Sequence, residues 1–173
     1  MNKYLAKIIA YDQEGLQMIS ACSSGAKIKI EKDKIFIKGP QKIKSIKNIK
    51  TKEWPGVATD MQSQFMVLMC KAKGKSVITE NIFENRFLHV GELQRLGANI
   101  QIKKNKALIK GNTKFIGAEL MSSDLRASVA LVLAAMISNG KSSINRIYHL
   151  DRGYENLERK LKKIGVRIRR LRK

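Results

Sequence analysis

The sequence repeats itself, and this feature constrains the fold more than any other. GAKIKIEKDKIFIKG (25–39) returns as GANIQIKKNKALIKG (97–111), and GVRIRRLRK (165–173) resembles the start of both. Isoleucine alternates with polar residues at the period of a strand, and EKDK or KKNK supplies a turn, so each copy predicts two β-strands. The glycine that opens each copy suits the left-handed end of a preceding helix.

A second repeated block predicts helices. TDMQSQFMVLMCKAKGKS (59–76) matches SDLRASVALVLAAMISNGKS (123–142). Each block begins with a hydroxyl residue and an aspartate and then carries apolar residues on nearly every face, which predicts helices buried all round. Strands are expected next, in VITENIF and SINRIYH, followed by amphipathic helices that should lie outside.

The repeat unit is therefore a buried helix, a strand, an exposed helix and two strands. It recurs at a spacing of roughly 65 to 70 residues, which is longer than the common solenoid periods. We predict one α/β domain over 1–173, with the tail of a first repeat at 1–57, a second repeat at 58–120 and a third at 121–173. Because the chain begins in mid-repeat, we expect this domain to be incomplete.

Composition narrows the class of protein. A chain of 173 residues with 43% hydrophobic content suits a single domain. No apolar stretch is long enough to span a membrane, and Lys7 and Asp12 interrupt any signal-peptide core, so we expect a cytoplasmic protein. Cys22 and Cys70 form no CxxC pattern, and neither a disulfide nor a metal role is predicted. His89 and His149 also lack metal-ligand spacing.

The net charge of +21 would attract nucleic acid, acidic lipid or a multiply anionic small molecule. A coding bias toward AT-rich codons would give the same lysine-rich composition without selection for binding. Aromatic content is only 6%, and no known nucleic-acid-binding motif is present, so nucleic-acid binding rests on charge alone. Both interpretations of the charge stay open.

Asp60 and Asp124 stand at the starts of the two buried helices. Capping of exposed backbone amides explains both residues. A carboxylate held ionised at a helix start also suits a general base for a hydroxyl group. Arg126 lies one turn into an apolar helix, where an unpaired guanidinium would be costly, so it should face Asp124 or a ligand.

Arg86 and Arg152 follow the two matching strands. By repeat equivalence both should converge near the helix start that bears Arg126. Arginine binds carboxylate and phosphate groups in a bidentate fork. Three arginines and Asp60 together indicate a doubly anionic substrate beside a hydroxyl acceptor, although a set of structural ion pairs explains the same residues slightly better.

TDMQSQF, TENIFENRFLHVGELQRLGA, SSDLRASVALVLA and RIYHLDRGYENLERKL resemble, in order and spacing, C-terminal motifs of the enolpyruvyl transferase family. The resemblance is to its bacterial UDP-N-acetylglucosamine 1-carboxyvinyltransferase branch, and it is close from about 54 to 170. It implies inside-out α/β repeats, with helices packed inside and mixed sheets outside. It also implies transfer of the enolpyruvyl group of phosphoenolpyruvate to the 3-hydroxyl of UDP-N-acetylglucosamine, early in peptidoglycan synthesis, without a metal or organic cofactor.

The resemblance assigns roles to residues. It implies that Asp60 contacts the sugar 3-hydroxyl and acts as the base, and that Arg126 and Arg152 hold phosphoenolpyruvate. The remaining substrate-binding residues that it implies are Ile82, Phe83, Arg86 and Asp124. Ala58 stands where the family usually has a proline before TDMQ.

The family's other domain, with its loop cysteine, has no counterpart in this sequence. Neither Cys22 nor Cys70 matches that loop, so the resemblance gives neither a catalytic role. We therefore expect the chain to be inactive alone, with a separate polypeptide as a possible source of the missing N-terminal domain. The alternative is a basic protein that binds nucleic acid or an anionic surface on the same scaffold.

Overall fold

A computed structural model describes residues 24–31, 34–53 and 56–171. The strands of this part are β1 (Lys27–Glu31), β2 (Lys34–Lys38), β3 (Asn48–Lys50), β4 (Lys75–Thr79), β5 (Asn99–Lys103), β6 (Lys106–Lys110), β7 (Glu119–Met121) and β8 (Ser143–Asn145). Its α-helices are α1 (Gln62–Lys71), α2 (Val90–Arg95), α3 (Leu125–Met136), α4 (Tyr148–Asp151) and α5 (Leu157–Lys163). A 3-10 turn over Thr59–Met61 precedes α1.

Helices α1 and α3 form the centre of the molecule. Every residue of α1 from Gln62 to Cys70 is buried, and so is every residue of α3 from Ala127 to Ala134. The two helices pack against each other and share one apolar cluster with the inward side chains of the sheets. The prediction of helices buried all round is therefore confirmed, and it follows from the apolar residues on every helix face.

The main sheet is mixed and covers this helical centre. In the main sheet, of order β3-β4-β6-β5, β3 runs parallel to β4 and the other pairs are antiparallel. Ile78 and Ala107, which are cross-strand partners, both point into the core. Strands β1 and β2 pair antiparallel, and β7 and β8 pair parallel. The α/β class and the arrangement of helices inside and sheets outside are confirmed.

The repeated strand pairs are present where the sequence places them. Strands β1 with β2 and β5 with β6 form the two complete hairpins. Gly97, which opens the second copy, has φ +94°, and Gly165, which opens the third, has φ +90°. Both lie just after a helix in the left-handed conformation that glycine tolerates best, as the pattern predicts.

Two expectations near the end of the chain are wrong. The strand expected over SINRIYH ends at Asn145, and the short helix α4 follows it. No strand forms over 165–171, the described part of the third copy. Val166 and Ile168 instead pack against a small apolar cluster of α3, α4 and α5. The segment 165–171 is therefore held by packing of its apolar side chains and not by pairing with another strand.

The outer helix α2 has the amphipathic character that the sequence predicts, since Val90, Leu93 and Leu96 are buried beside exposed neighbours. Within the described ranges, no helix is long and apolar enough to cross a membrane. Cys22 and the first 23 residues of the expected first-repeat tail lie outside the described residues. The division at 57 and 120 stays a prediction.

Candidate functional site

Side chains from the predicted second and third repeats meet at a single carboxylate. The turn before α1 holds Asp60, the first turn of α3 holds Arg126, and the loop after β4 holds Arg86. The Arg126 guanidinium donates from Nε to Asp60 Oδ1 at 2.8 Å and from Nη2 to Oδ2 at 2.8 Å. Arg86 Nη2 donates to Asp60 Oδ1 at 2.7 Å. One aspartate therefore bridges two arginines.

The two aspartates at the helix starts have different roles. Asp124 Oδ1 accepts hydrogen bonds from the backbone amides of Arg126 at 2.9 Å and Ala127 at 3.0 Å, so it caps α3. Neither Ala58 nor Met61, at the N-caps of the turn and of α1, makes a side-chain cap, and the Asp60 carboxylate bonds to the two arginines instead. Capping is therefore correct for Asp124 and wrong for Asp60.

The expected partner of Arg126 also needs correction. Its guanidinium pairs with Asp60, and only its backbone amide bonds to Asp124. The pair is accessible, because the side chain of Asp60 is 52% exposed and that of Arg126 is 40% exposed. Solvent screens such a pair and leaves it little stabilising value. A ligand can reach these charged groups without opening the core.

Electrostatics keep the local charges fixed. The hydrogen bonds from Arg126 to Asp60 raise the pKa of the guanidinium above its ordinary value. Burial raises the pKa of Asp124, but hydrogen bonds from Ala127 and Arg126 outweigh it and hold that pKa below its usual range. Burial lowers the pKa of the nearby His89 to about 4, against a partial opposing effect of Asp124. At neutral pH the site therefore combines an ionised Asp124 and an ionised Arg126 with a neutral His89 imidazole.

The loop after β4 presents an aromatic side chain beside this cluster. Phe83 is 53% exposed, and the Arg86 guanidinium lies 4.8 Å from the centre of its ring. An arginine over an aromatic face gains a cation–π attraction. Ile82, the other residue of the loop named by the resemblance, is also exposed. The loop is thus open to a ligand on the side that carries Arg86.

Arg152 does not join the Asp60 cluster. It is exposed at the end of α4, and within the described ranges its side chain makes no ion pair or hydrogen bond. The next residue, Gly153, is so close to Leu125 that an added Cβ would lie 2.9 Å from Leu125 Cδ2. The segment therefore passes beside the start of α3 and leaves Arg152 as a free cation.

Sequence patterns did not point to Tyr154 and Glu80. The hydroxyl of Tyr154 bonds to Gln64. Burial raises the pKa of this phenol, the charge of Arg126 lowers it, and the charge of Asp60 raises it. Glu80 is a buried acid whose four donors come from three chain segments. A lone acidic residue directly after an apolar strand was the one available signal for Glu80. Nothing in the spacing distinguished Tyr154 from an ordinary helix-face residue.

Cys70 is unsuited to act as a nucleophile. Its side chain is fully buried within α1, and burial raises the pKa of its thiol to about 12. The thiolate is the reactive form of cysteine, so this residue acts as a small apolar side chain.

Comparison with known proteins identifies the family. The family model described as EPSP synthase (3-phosphoshikimate 1-carboxyvinyltransferase) matches residues 9–161. The chain is 60% identical over 147 residues to the UDP-N-acetylglucosamine 1-carboxyvinyltransferase of Pelagibacter ubique, covering 85% of this chain and 35% of that protein. It is 52% identical over 155 residues to the protein of that name from Desulfosudis oleivorans, covering 90% and 37%. The chain thus spans about a third of the length of these relatives.

Solved structures share the fold. The enolpyruvyl transferase NikO from Streptomyces tendae superimposes with a TM-score of 0.79 at 24% identity, over 95% of this chain and 43% of that one. An EPSP synthase from Acinetobacter baumannii gives a TM-score of 0.67 at 16% identity, over 90% and 36%. The chain therefore belongs to the EPSP synthase family of enolpyruvyl transferases.

Proposed function

We propose that this chain carries one wall of a UDP-N-acetylglucosamine 1-carboxyvinyltransferase site. The reaction moves the enolpyruvyl group of phosphoenolpyruvate to the 3-hydroxyl of UDP-N-acetylglucosamine, a cytoplasmic step that commits the sugar nucleotide to peptidoglycan. The observation that carries the proposal is the accessible Asp60 carboxylate between Arg86 and Arg126. Relatives at 52–60% identity bear this name, which supports the same substrate pair.

The acid–base chemistry is assigned to Asp60. The sugar hydroxyl oxygen forms a bond to C2 of phosphoenolpyruvate, its proton passes to the Asp60 carboxylate, and C3 gains a proton. The tetrahedral adduct then breaks its C2–O bond to phosphate and loses a proton from C3, which restores the enol ether. A positioned base of this kind accelerates a reaction about 10² to 10⁴-fold.

The arginines bind the anionic groups. Arg126 and Arg152 hold phosphoenolpyruvate, and Arg86 shares the Asp60 carboxylate with Arg126. Fixed guanidiniums stabilise the charge that develops on the departing phosphate, and they need little reorganisation to do so. The Arg152 guanidinium has no partner among the described residues, so a substrate can bind it without displacing one. The Arg126 guanidinium is already bonded to Asp60 and must be shared with the substrate. Arg152 is therefore assigned the first contact with phosphoenolpyruvate.

The remaining site residues shape the sugar-nucleotide side. The backbone at Ile82 and the ring of Phe83 border the nucleotide, on the exposed face of their loop. Asp124 acts indirectly, because its cap fixes the first turn of α3 and with it the direction of Arg126. The rest of the site is supplied by a further segment or a separate polypeptide, since the chain corresponds to about 35% of its relatives.

Phosphate release tests this proposal. In one arm, the purified chain receives phosphoenolpyruvate and UDP-N-acetylglucosamine. In the other, the chain replaces the segment that it matches in the Pelagibacter ubique relative, which gives a chimeric enzyme. We expect turnover by the chimeric enzyme and none by the chain alone. Robust turnover without any other segment would contradict the need for a second part, and an inactive chimeric enzyme would contradict the assigned function.

A specific surface favours a second candidate function, the binding of nucleic-acid backbone. The outward face of the main sheet carries five exposed lysines and no acidic residue: Lys50, Lys75, Lys103, Lys106 and Lys110. Two pairs of them are direct cross-strand partners, Lys75 with Lys110 and Lys103 with Lys106. Like charges in such positions repel each other, and a bound polyanion would relieve that repulsion.

Salt dependence separates the two functions. Fluorescence anisotropy with single-stranded oligodeoxythymidylate should show binding that weakens steeply with salt, by a log–log slope of about 0.7 for each phosphate neutralised. The variant Lys75→Gln with Lys110→Gln should lower that slope, whereas Asp60→Ala and Arg126→Ala should leave it unchanged. Binding that is insensitive to both salt and the lysine changes would eliminate this candidate.

A further inference from the structure

The Glu80 carboxylate is buried and fully bonded. The residue is 3% exposed, and it takes part in none of the ion pairs of the described ranges. Its Oε1 accepts from Thr51 Oγ1 at 2.8 Å and from the backbone amides of Ile82 at 2.9 Å and Phe83 at 3.2 Å. Its Oε2 accepts from Thr59 Oγ1 at 2.9 Å. A buried carboxylate needs such donors to offset its lost hydration.

These donors belong to three separate segments, and two of them carry proposed site residues. Thr59 immediately precedes Asp60 in the turn before α1. Ile82 and Phe83 form the loop assigned to the sugar nucleotide. The Glu80 side chain thus connects the turn that carries Asp60 with this loop, in addition to the direct hydrogen bond from Arg86 to Asp60.

Hydrogen bonds hold the backbone of Glu80 in place, and the turn that carries Asp60 gains a restraint from the Glu80 side chain. The Glu80 amide donates to the Asn105 carbonyl at 2.9 Å, and Asn105 Nδ2 donates back to the Glu80 carbonyl at 3.1 Å, so its backbone is tied to the β5–β6 turn. Ala58 has φ −61°, a value that a proline ring would impose but that alanine does not enforce. The hydrogen bond to Thr59 adds a side-chain restraint to the backbone bond from Met61 to Ala58 and to the arginine bonds at Asp60.

We infer that Glu80 is a positioning residue that sets the distance between the Asp60 carboxylate and the Ile82 backbone. The inference rests on the proposed function for its consequence, because only there does that distance align a base with a substrate hydroxyl. A displacement of about 1 Å in a reacting group lowers a rate by up to about 10²-fold. Glu80 touches neither substrate, and its effect passes through Thr59 and the loop amides.

Hydrogen exchange in the full chain tests the link without any substrate. The variant Thr59→Val keeps the side-chain shape and removes only the donor to Oε2. We expect it to accelerate exchange of the Arg126 Nε–H, whose acceptor is Asp60, by tenfold or more, as followed by NMR. The Ile82 and Phe83 amides bond to Oε1 and should keep their protection.

Two controls bracket this result. Thr59→Ser keeps the hydroxyl and should restore the wild-type exchange rate. Thr113→Val makes the same chemical change at a buried threonine beside the opposite end of α1, and it should leave the Arg126 signal unchanged. Unchanged exchange at Arg126 in Thr59→Val would overturn the inference. Thr59→Ala provides the same comparison if the valine variant does not fold.

Kinetics of the chimeric enzyme then separate positioning from stability. Thr59→Val should lower kcat about tenfold and change KM for UDP-N-acetylglucosamine less than twofold, because the loop amides stay in place. A merely structural role would lower the melting temperature and leave kcat unchanged. If the wild-type chimeric enzyme is inactive, the proposed function fails, while the exchange experiment still decides whether Glu80 holds the Asp60 turn.

Discussion

The Asp60 carboxylate accepts a bidentate pair of hydrogen bonds from Arg126, at 2.8 Å each, across 66 positions of the sequence. Both residues lie at the start of a repeated helix block, so the pair joins two repeats, although the position equivalent to Asp60 is Asp124. Because the two central helices pack against each other, their starts meet at one accessible edge. The repeat thereby creates a charged site that neither unit contains alone.

The fork geometry of Arg126 should matter more than its charge. In the chimeric enzyme, Arg126→Lys should raise KM for phosphoenolpyruvate about 10- to 100-fold, because a lysine cannot form two parallel bonds and a charged hydrogen bond contributes about 1.5–3 kcal/mol. Arg146→Lys is a matched control, since Arg146 is exposed and, among the described residues, its side chain bonds only to Tyr148. Equal KM values for the two variants would show that the fork is not used.

The cap by Asp124 should stabilise the folded chain. Asp124→Ala removes the acceptor of two backbone amides and should lower the free energy of unfolding by about 1 kcal/mol, as measured by urea denaturation. Asp124→Asn keeps a capping oxygen and should lose much less. Ser123→Ala is the neighbouring control and should stay within about 0.5 kcal/mol of the wild type. A neutral Asp124→Ala would mean that the cap contributes nothing.

Much of this fold was predictable because the sequence contains two similar copies of each repeated block. Apolar residues on all faces predicted α1 and α3, and alternating isoleucines predicted the hairpins. The sequence could not decide between a capping and a pairing role for Asp60, because a capping aspartate and a bridging aspartate have the same local sequence. Glu80 was missed because its donors Thr51 and Thr59 lie 29 and 21 positions away. The segment 165–171 repeats a strand pattern but packs as a side-chain cover over α3.

Stability should fall in mild acid because of His89. Its pKa is about 4 when folded and 6.5 when unfolded, so the unfolded chain binds the proton more tightly. The contribution is complete above pH 6.5 and is lost as the pH falls toward 4, by about 1.4 kcal/mol per pH unit. His89→Gln should therefore flatten the pH dependence of urea unfolding in this window.

The other histidine provides the control for that measurement. His149→Gln makes the same chemical change at a partly buried position and controls for the effect of the substitution itself. If His89→Gln and the wild type lose stability in parallel over this range, another group causes the acid sensitivity.

The Cys70 thiol should be inert in the folded protein. Because burial raises its pKa to about 12, very little thiolate forms at neutral pH. In a Cys22→Ser background, iodoacetamide should leave the native chain unmodified, by mass spectrometry, and should label it once after unfolding in urea. Rapid labelling of the native chain would contradict the buried position of this side chain.

Phosphate release by the chimeric enzyme, with and without Asp60, tests the account most directly. Asp60→Asn keeps the volume of the side chain and removes the base, and it also replaces the oxygen that accepts from Arg126 Nη2 with an amide donor. We predict that wild-type phosphate release requires both phosphoenolpyruvate and UDP-N-acetylglucosamine, and that Asp60→Asn lowers kcat about 10²-fold or more. Phosphate release at an undiminished rate in Asp60→Asn would contradict the role of the Asp60 carboxylate as the base of this site.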